Sequence, residues 1–163
     1  MANQNFKLEK LEKVVTILVD CQPALKGACV LFLSPHSRFG SGPETLHEFL
    51  NHAPPFIPIR FPDTDSLILV NLDEIIWVHE TEPAPPQPVK QQVRLSLKNS
   101  AEIGVEQTEV LPDPNSRLLD YLNGAQRFIG FQLNGTRIHI NKSKITRSKE
   151  DGSTNAIQSP TGK

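Results

Sequence analysis

Leu46-His-Glu-Phe-Leu-Asn51 and Leu118-Leu-Asp-Tyr-Leu-Asn123 are near copies of one another, and the rest of the chain is read from that repeat. Five residues after each Asn stands Phe-Ile, as Phe56-Ile57 and as Phe128-Ile129. Each copy then runs through a turn into a second apolar strand, ending in Val70-Asn71 or Ile140-Asn141, and an Ile follows four residues later, Ile75 or Ile145. Self-similarity of this kind marks a duplicated supersecondary unit and predicts a pseudo-symmetric body.

Outward from the repeat, Leu46, Phe49 and Leu50 lie at i, i+3 and i+4, which predicts a short amphipathic helix over 44–51 with Pro43 in its first turn. Its counterpart runs from Ser116 to Asn123, with Ser116 or Asn115 as the cap. Upstream, β-branched and apolar runs predict strands at Val14–Val19 and Leu25–Leu33, and again at Val93–Leu97 and Ile103–Leu111. Gly27 is read as a bulge or bend, with Gly104 in the same place and an equal interval from each to Pro35 or Pro112. Downstream, strands are expected at Phe56–Phe61, Leu67–Asn71 and Glu74–Glu80, and at Phe128–Leu133 and Thr136–Asn141, the last two joined by the hairpin signal Asn134-Gly135. A final strand holds Ile145.

The expected fold is mainly β: two tandem pseudo-symmetric small antiparallel β-barrel-like lobes, each with one short helix. The first lobe covers 1–81 and the second 89–149. Between them Glu82-Pro-Ala-Pro-Pro-Gln-Pro88 predicts a stiff linker, and the polar residues 150–163 predict a disordered tail.

The 163 residues carry 17 Lys+Arg and 18 Asp+Glu, a balance with no global pull toward nucleic acid or anionic lipid. The halves differ: residues 1–80 hold 6 basic and 10 acidic side chains (−4), and residues 81–163 hold 11 and 8 (+3). Cys21 and Cys29 match no metal-ligand spacing and read as free thiols, a disulfide between neighbouring strands being the alternative. The absence of a signal-peptide pattern and of an apolar run near the ~20 residues of a membrane span leads to an expectation of a cytoplasmic protein that does not enter a membrane.

No catalytic set, cofactor motif or metal cluster emerges. His36, His47, His52, His79 and His139 show no ligand spacing, no Cys/His or Ser/His/Asp group recurs in both copies, and Phe39-Gly-Ser-Gly-Pro43 lacks the lysine of a phosphate loop. The repeated Leu46, Phe49, Leu50 and Leu118, Tyr121, Leu122 read as helices plugging a barrel, with Phe56 and Phe128 in the same core. Asn51 and Asn123 read as helix C-terminal stops, and Asn71 and Asn141 as Asx-type turns.

The surfaces are more informative. Leu67, Leu69 and Trp77 are assigned to an apolar patch that packs on a protein partner or on the other lobe. Arg137, His139, Lys142, Lys144 and Arg147, with Lys149, cluster on the last hairpin, Arg137 and His139 sharing its outward face, and form a candidate phosphate-contacting surface. The chain therefore reads as a non-enzymatic binding or scaffold module working through protein–protein contacts, with a homo-oligomer among the partners considered and RNA binding by the basic hairpin as the alternative.

Phe56–Val78 and Phe128–Arg147, each an apolar strand, a turn, a strand ending in Asn and an Ile strand, resemble the closing part of Sm-like small barrels. The chain departs from that family in placing its helix after the second strand rather than before the first. The resemblance implies small barrels, ring assembly and RNA binding. The plan of two five-stranded units, with Phe131-Gln-Leu-Asn-Gly-Thr-Arg-Ile-His-Ile140, is more weakly similar to chemotaxis coupling adaptors, which implies paired barrels that bind a kinase and a receptor. The paired Leu-Asn, Phe-Ile and Asn-Lys signatures also resemble uncharacterised bacterial tandem-repeat proteins, which implies a fold class alone.

Overall fold

The computed structural model describes residues 9–99, 101–108 and 117–151. The strands are β1 (Leu11–Val19), β2 (Leu25–Leu33), β3 (Phe56–Arg60), β4 (Leu67–Asn71), β5 (Ile75–Pro83), β6 (Gln91–Leu97), β7 (Glu102–Gln107), β8 (Phe128–Leu133), β9 (Thr136–Asn141) and β10 (Ile145–Asp151). Helix α1 (Leu46–His52) follows β2 and helix α2 (Leu118–Leu122) precedes β8. The described strands form one antiparallel sheet in the order β10-β6-β7-β8-β9-β5-β1-β2-β3-β4, open at β10 and at β4. The chain is mainly β, and its described strands make a single open sheet rather than two closed barrels.

Within that sheet the two halves follow the same order, the fifth strand of each lying beside the first. The registers agree in detail. Phe56 faces Asn71 across β3 and β4, and Phe128 faces Asn141 across β8 and β9. The pairing of β1 with β5 slips between Leu18 and Val19, and that of β10 with β6 slips at the corresponding place, between Ile145 and Arg147. Each half thins at one seam, where β2 meets β3 at Val30–Arg60 and β7 meets β8 at Glu106–Gln132. A 3₁₀ turn, Leu72–Glu74 or Lys142–Lys144, joins the last two strands, and each is capped by the Asn before it, with Asn71 Oδ1 accepting from Asp73 N and Asn141 Oδ1 from Ser143 N. The Asx reading of these two Asn therefore holds.

Several sequence expectations change. Gly27 faces Ile17 in an unbroken ladder, so it marks no bulge, and Gly104 faces Arg94, one position off the place of Gly27. Pro43 precedes α1, whose N-cap is Thr45, the hydroxyl accepting from Glu48 N at 3.1 Å. Residue Arg117 caps α2 by position, without a side-chain bond, and Asn115 and Ser116 lie outside the described residues, as does Pro112. Strand β10 takes in Glu150 and Asp151 from the expected tail; 152–163 are outside the described residues. Asn134 and Gly135 both have positive φ, 50° and 80°, as the hairpin signal requires.

Two apolar clusters form the core, one for each half, and each borrows from the other. Phe128 of the second half sits among Val15, Ile17, Leu46, Leu50, Ile57 and Leu72 of the first. Leu18 and Ile76 of the first half sit among Val93, Leu95, Ile129 and Ile138 of the second. The start of the expected linker belongs to the sheet: β5 runs on to Pro83, Ala84 N donates to Gly135 O at 2.9 Å, and β5 pairs with β9.

Candidate functional site

The junction of the halves comes first, because it sets what is left free. β5 pairs with β9 through Trp77–Ile140, Val78–His139 and His79–Ile138. Three polar side chains fasten it. Asn51, on α1, accepts from Arg127 N at 2.8 Å and Phe128 N at 2.9 Å with Oδ1, and donates to Phe128 O at 3.2 Å with Nδ2. This amide therefore pairs with a strand edge in the other half and is not the helix stop; Ala53 is the C-cap of α1, and Asn123 does cap α2. Asn141 is buried and donates to Ile75 O at 2.9 Å and Asp73 O at 3.2 Å, satisfying carbonyls at the turn before β5. Lys144 reaches Asp20 at 3.1 Å and Glu74 at 3.3 Å.

His139 lies in this junction. Its Nε2 is 3.0 Å from Glu80, which also pairs with Lys13 at 3.3 Å. Burial raises the Glu80 carboxyl, but the bond and charge of His139 and the charge of Lys13 outweigh it and hold the group below the usual carboxylate range. Nδ1 of His139 is buried and has no hydrogen-bond partner among the described residues. No hydroxyl or thiol completes a nucleophilic set on that nitrogen, and no group of three metal-ligating side chains occurs among the described residues. A groove lined by Thr45, His47, Gln126, Gln132, Arg137 and His139 runs beside it. Cys29 is buried, which pushes its thiol up to about 12, and Cys21 is exposed; both are free.

The basic patch is dismantled by these contacts. His139 is buried, contrary to the outward face expected for it, and Lys144 is buried and neutralised by two carboxylates. Alternation places His139 outward on an isolated hairpin, but in the sheet its ring lies against Glu80 and the His47 ring of α1. Lys142 donates to Gly124 O at 2.5 Å, Arg137 is exposed beside the groove, and Arg147 is exposed on β10.

The apolar patch splits too. Leu67 and Leu69 are exposed on β4, whereas Trp77 is half-buried on β5, with β1, β2 and β3 between them in the sheet, and packs on the second core under Lys26. Phe56 and Ile68, which sequence reasoning did not assign to the site, join Leu67 and Leu69 as exposed residues of β3 and β4. Phe56 was expected in the core with Phe128. It is 57% exposed, whereas Phe128 is fully buried. The repeat could have raised this question, because equivalent phenylalanines need equivalent neighbours, and among the described residues β4 has a partner strand on one side only. What the site offers chemically is a strand edge with no partner strand among the described residues, flanked by large apolar side chains.

No helix of the described residues is long and apolar enough to cross a membrane. No family model, no curated protein and no solved structure matches this chain.

Proposed function

We propose that this chain is a non-enzymatic protein-binding module, made of two tandem pseudo-symmetric barrel-like units, that engages its partner along β3 and β4. The observation that carries this reading is that Leu67, Ile68 and Leu69 are exposed on β4, the outermost of the described strands at that end of the sheet, with Phe56 exposed on the neighbouring β3. Exposed edges are a liability that folded chains blunt with charges, prolines or covering loops. β4 has none of these within it: Leu67-Ile-Leu-Val-Asn71 is uncharged. A partner strand laid on β4 gains backbone hydrogen bonds, and apolar side chains alternating along it give selectivity.

A photoreactive residue at Leu69 tests the reading in cells. The expected result is a protein adduct at Leu69 that is absent when the same residue replaces the exposed Lys98, and that is lost when Phe56→Ser is added. Absence of a protein adduct at Leu69 overturns the reading. RNA that co-purifies, is released by salt and is lost in Arg137→Glu would move the function to the basic hairpin, where Arg137 and Arg147 remain exposed.

A further inference from the structure

The junction inside the chain is made by two unlike surfaces. The second half contributes β9 with Phe128; the first contributes β5 with α1. Because both halves are built to one plan, each surface has a counterpart elsewhere. The counterpart of β9 and Phe128 is β4 and Phe56, and the counterpart of β5 and α1 is β10 and α2. Among the described residues these lie at the two outer edges of the sheet.

We infer that copies of this chain join head to tail, the β3–β4 edge of one docking on the α2–β10 face of the next in the geometry of the internal junction. The inference rests on the reading of β4 as a docking edge and names its occupant. The equivalent positions support it one by one. Inside the chain, the rings of His47 and His139 meet with centroids 5.8 Å apart. Their counterparts are Leu119 on α2, 58% exposed, and Leu69 on β4, 70% exposed. A polar pair within the molecule thus becomes an apolar pair, both members exposed. Asn51, which grips the edge of Phe128, has Asn123 as its counterpart, exposed at the end of α2 and facing the role of gripping Phe56. Asn141 uses its amide nitrogen on carbonyls of the first half; Asn71 keeps the same cap bond but has no hydrogen bond from its amide nitrogen among the described residues.

Charge agrees with this order. The first half is −4 and the second +3, and Arg147 and Lys149 are exposed on β10 without an ion pair among the described residues, while Asp63 and Asp65 are exposed at the turn before β4. The copy is not perfect. Where β5 has Ile76, Trp77, Val78 and His79, β10 has Thr146, Arg147, Ser148 and Lys149. The contact between chains is therefore more polar than the one within, and forms reversibly and with sensitivity to salt. Being heterologous, it either closes into a ring or continues as a chain.

Sedimentation velocity on the full chain tests this. For the unaltered protein, the mass is expected to rise above 18.2 kDa with concentration over about 1 to 100 µM and to fall again in high salt. Leu69→Glu and Leu119→Glu, both exposed positions whose folding is checked by circular dichroism, should each be monomeric alone. Mixed, they retain one intact face each, so a 1:1 pair of twice the chain mass and nothing larger is expected. A monomer across the range overturns the inference but leaves the docking reading to the Leu69 crosslink, where an adduct of foreign mass would sustain it. Assembly that survives Leu119→Glu but not Leu69→Glu also overturns it, because that pattern means two β4 edges meeting each other.

Discussion

β4 and β9 hold the same place in the two halves, yet one is an edge and the other is interior. β9 lies between β8 and β5, and Ile138, His139, Ile140 and Asn141 are all buried. On β4, Leu67, Ile68 and Leu69 are exposed and Val70 alone is buried. The local sequence plan and the register against the preceding strand match, so the difference comes from the neighbour on the far side. Two halves of matching strand order that pair edge to edge leave one surface of each kind used and, among the described residues, one unused.

The largest test of that contrast is the phenylalanine pair. Phe128→Ala empties a fully buried site in the first core and is expected to cost about 3–5 kcal/mol in urea unfolding. Phe56→Ala, measured on the monomer at low concentration, is expected to stay within about 0.5 kcal/mol. A comparable cost at both would mean that Phe56 is not solvent-exposed in solution.

Next come the asparagines. Asn141→Ala removes a buried amide that serves carbonyls of the other half as well as its own turn, and is expected to cost about 2–4 kcal/mol. Asn71→Ala removes the turn cap alone, at about 0.5–1 kcal/mol. Equal losses would break the view that only one of the pair bridges the halves.

Glu80 sharpens the comparison through pH. Its folded carboxyl is held below the usual range by His139 and Lys13, against the effect of burial. The fold therefore favours the ionised form. That contribution is complete above the ordinary value of 4.5 and disappears as pH falls through the lower folded value. Glu80→Gln should lose about 1–3 kcal/mol near neutrality and show a flatter acid limb in a melting series from pH 6 downward. An unchanged acid limb would remove Glu80 from the junction. The smallest effect is expected at the β8–β9 hairpin, where Gly135→Ala meets a φ of 80° and should cost about 1 kcal/mol in thermal unfolding.

Much of this was legible from local pattern. Strand alternation at Ile57 and Ile59, the helix spacing of Leu46, Phe49 and Leu50, the Asn134-Gly135 turn and the Asx caps at Asn71 and Asn141 all depend on neighbours a few residues away, and all are present. The candidate edge was half legible: Leu67 and Leu69 were found, but Trp77 was grouped with them and Phe56 was placed in the core. The same local pattern serves a buried strand and an exposed one, so only the identity of the next strand separates them.

The sequence by itself determined the repeat, the order of strands and helix in each half, and the turns, because backbone sterics, periodicity and short-range hydrogen bonds act along the chain. Tertiary structure alone decided that β5 would take β9 as its neighbour, that His139 and Lys144 would leave the surface to meet Glu80, Asp20 and Glu74, and that Phe128 would be buried while Phe56 stayed in water. Those outcomes depend on which edges meet across more than fifty residues of chain, and the strand pattern that β4 and β9 share does not say which of them will be covered.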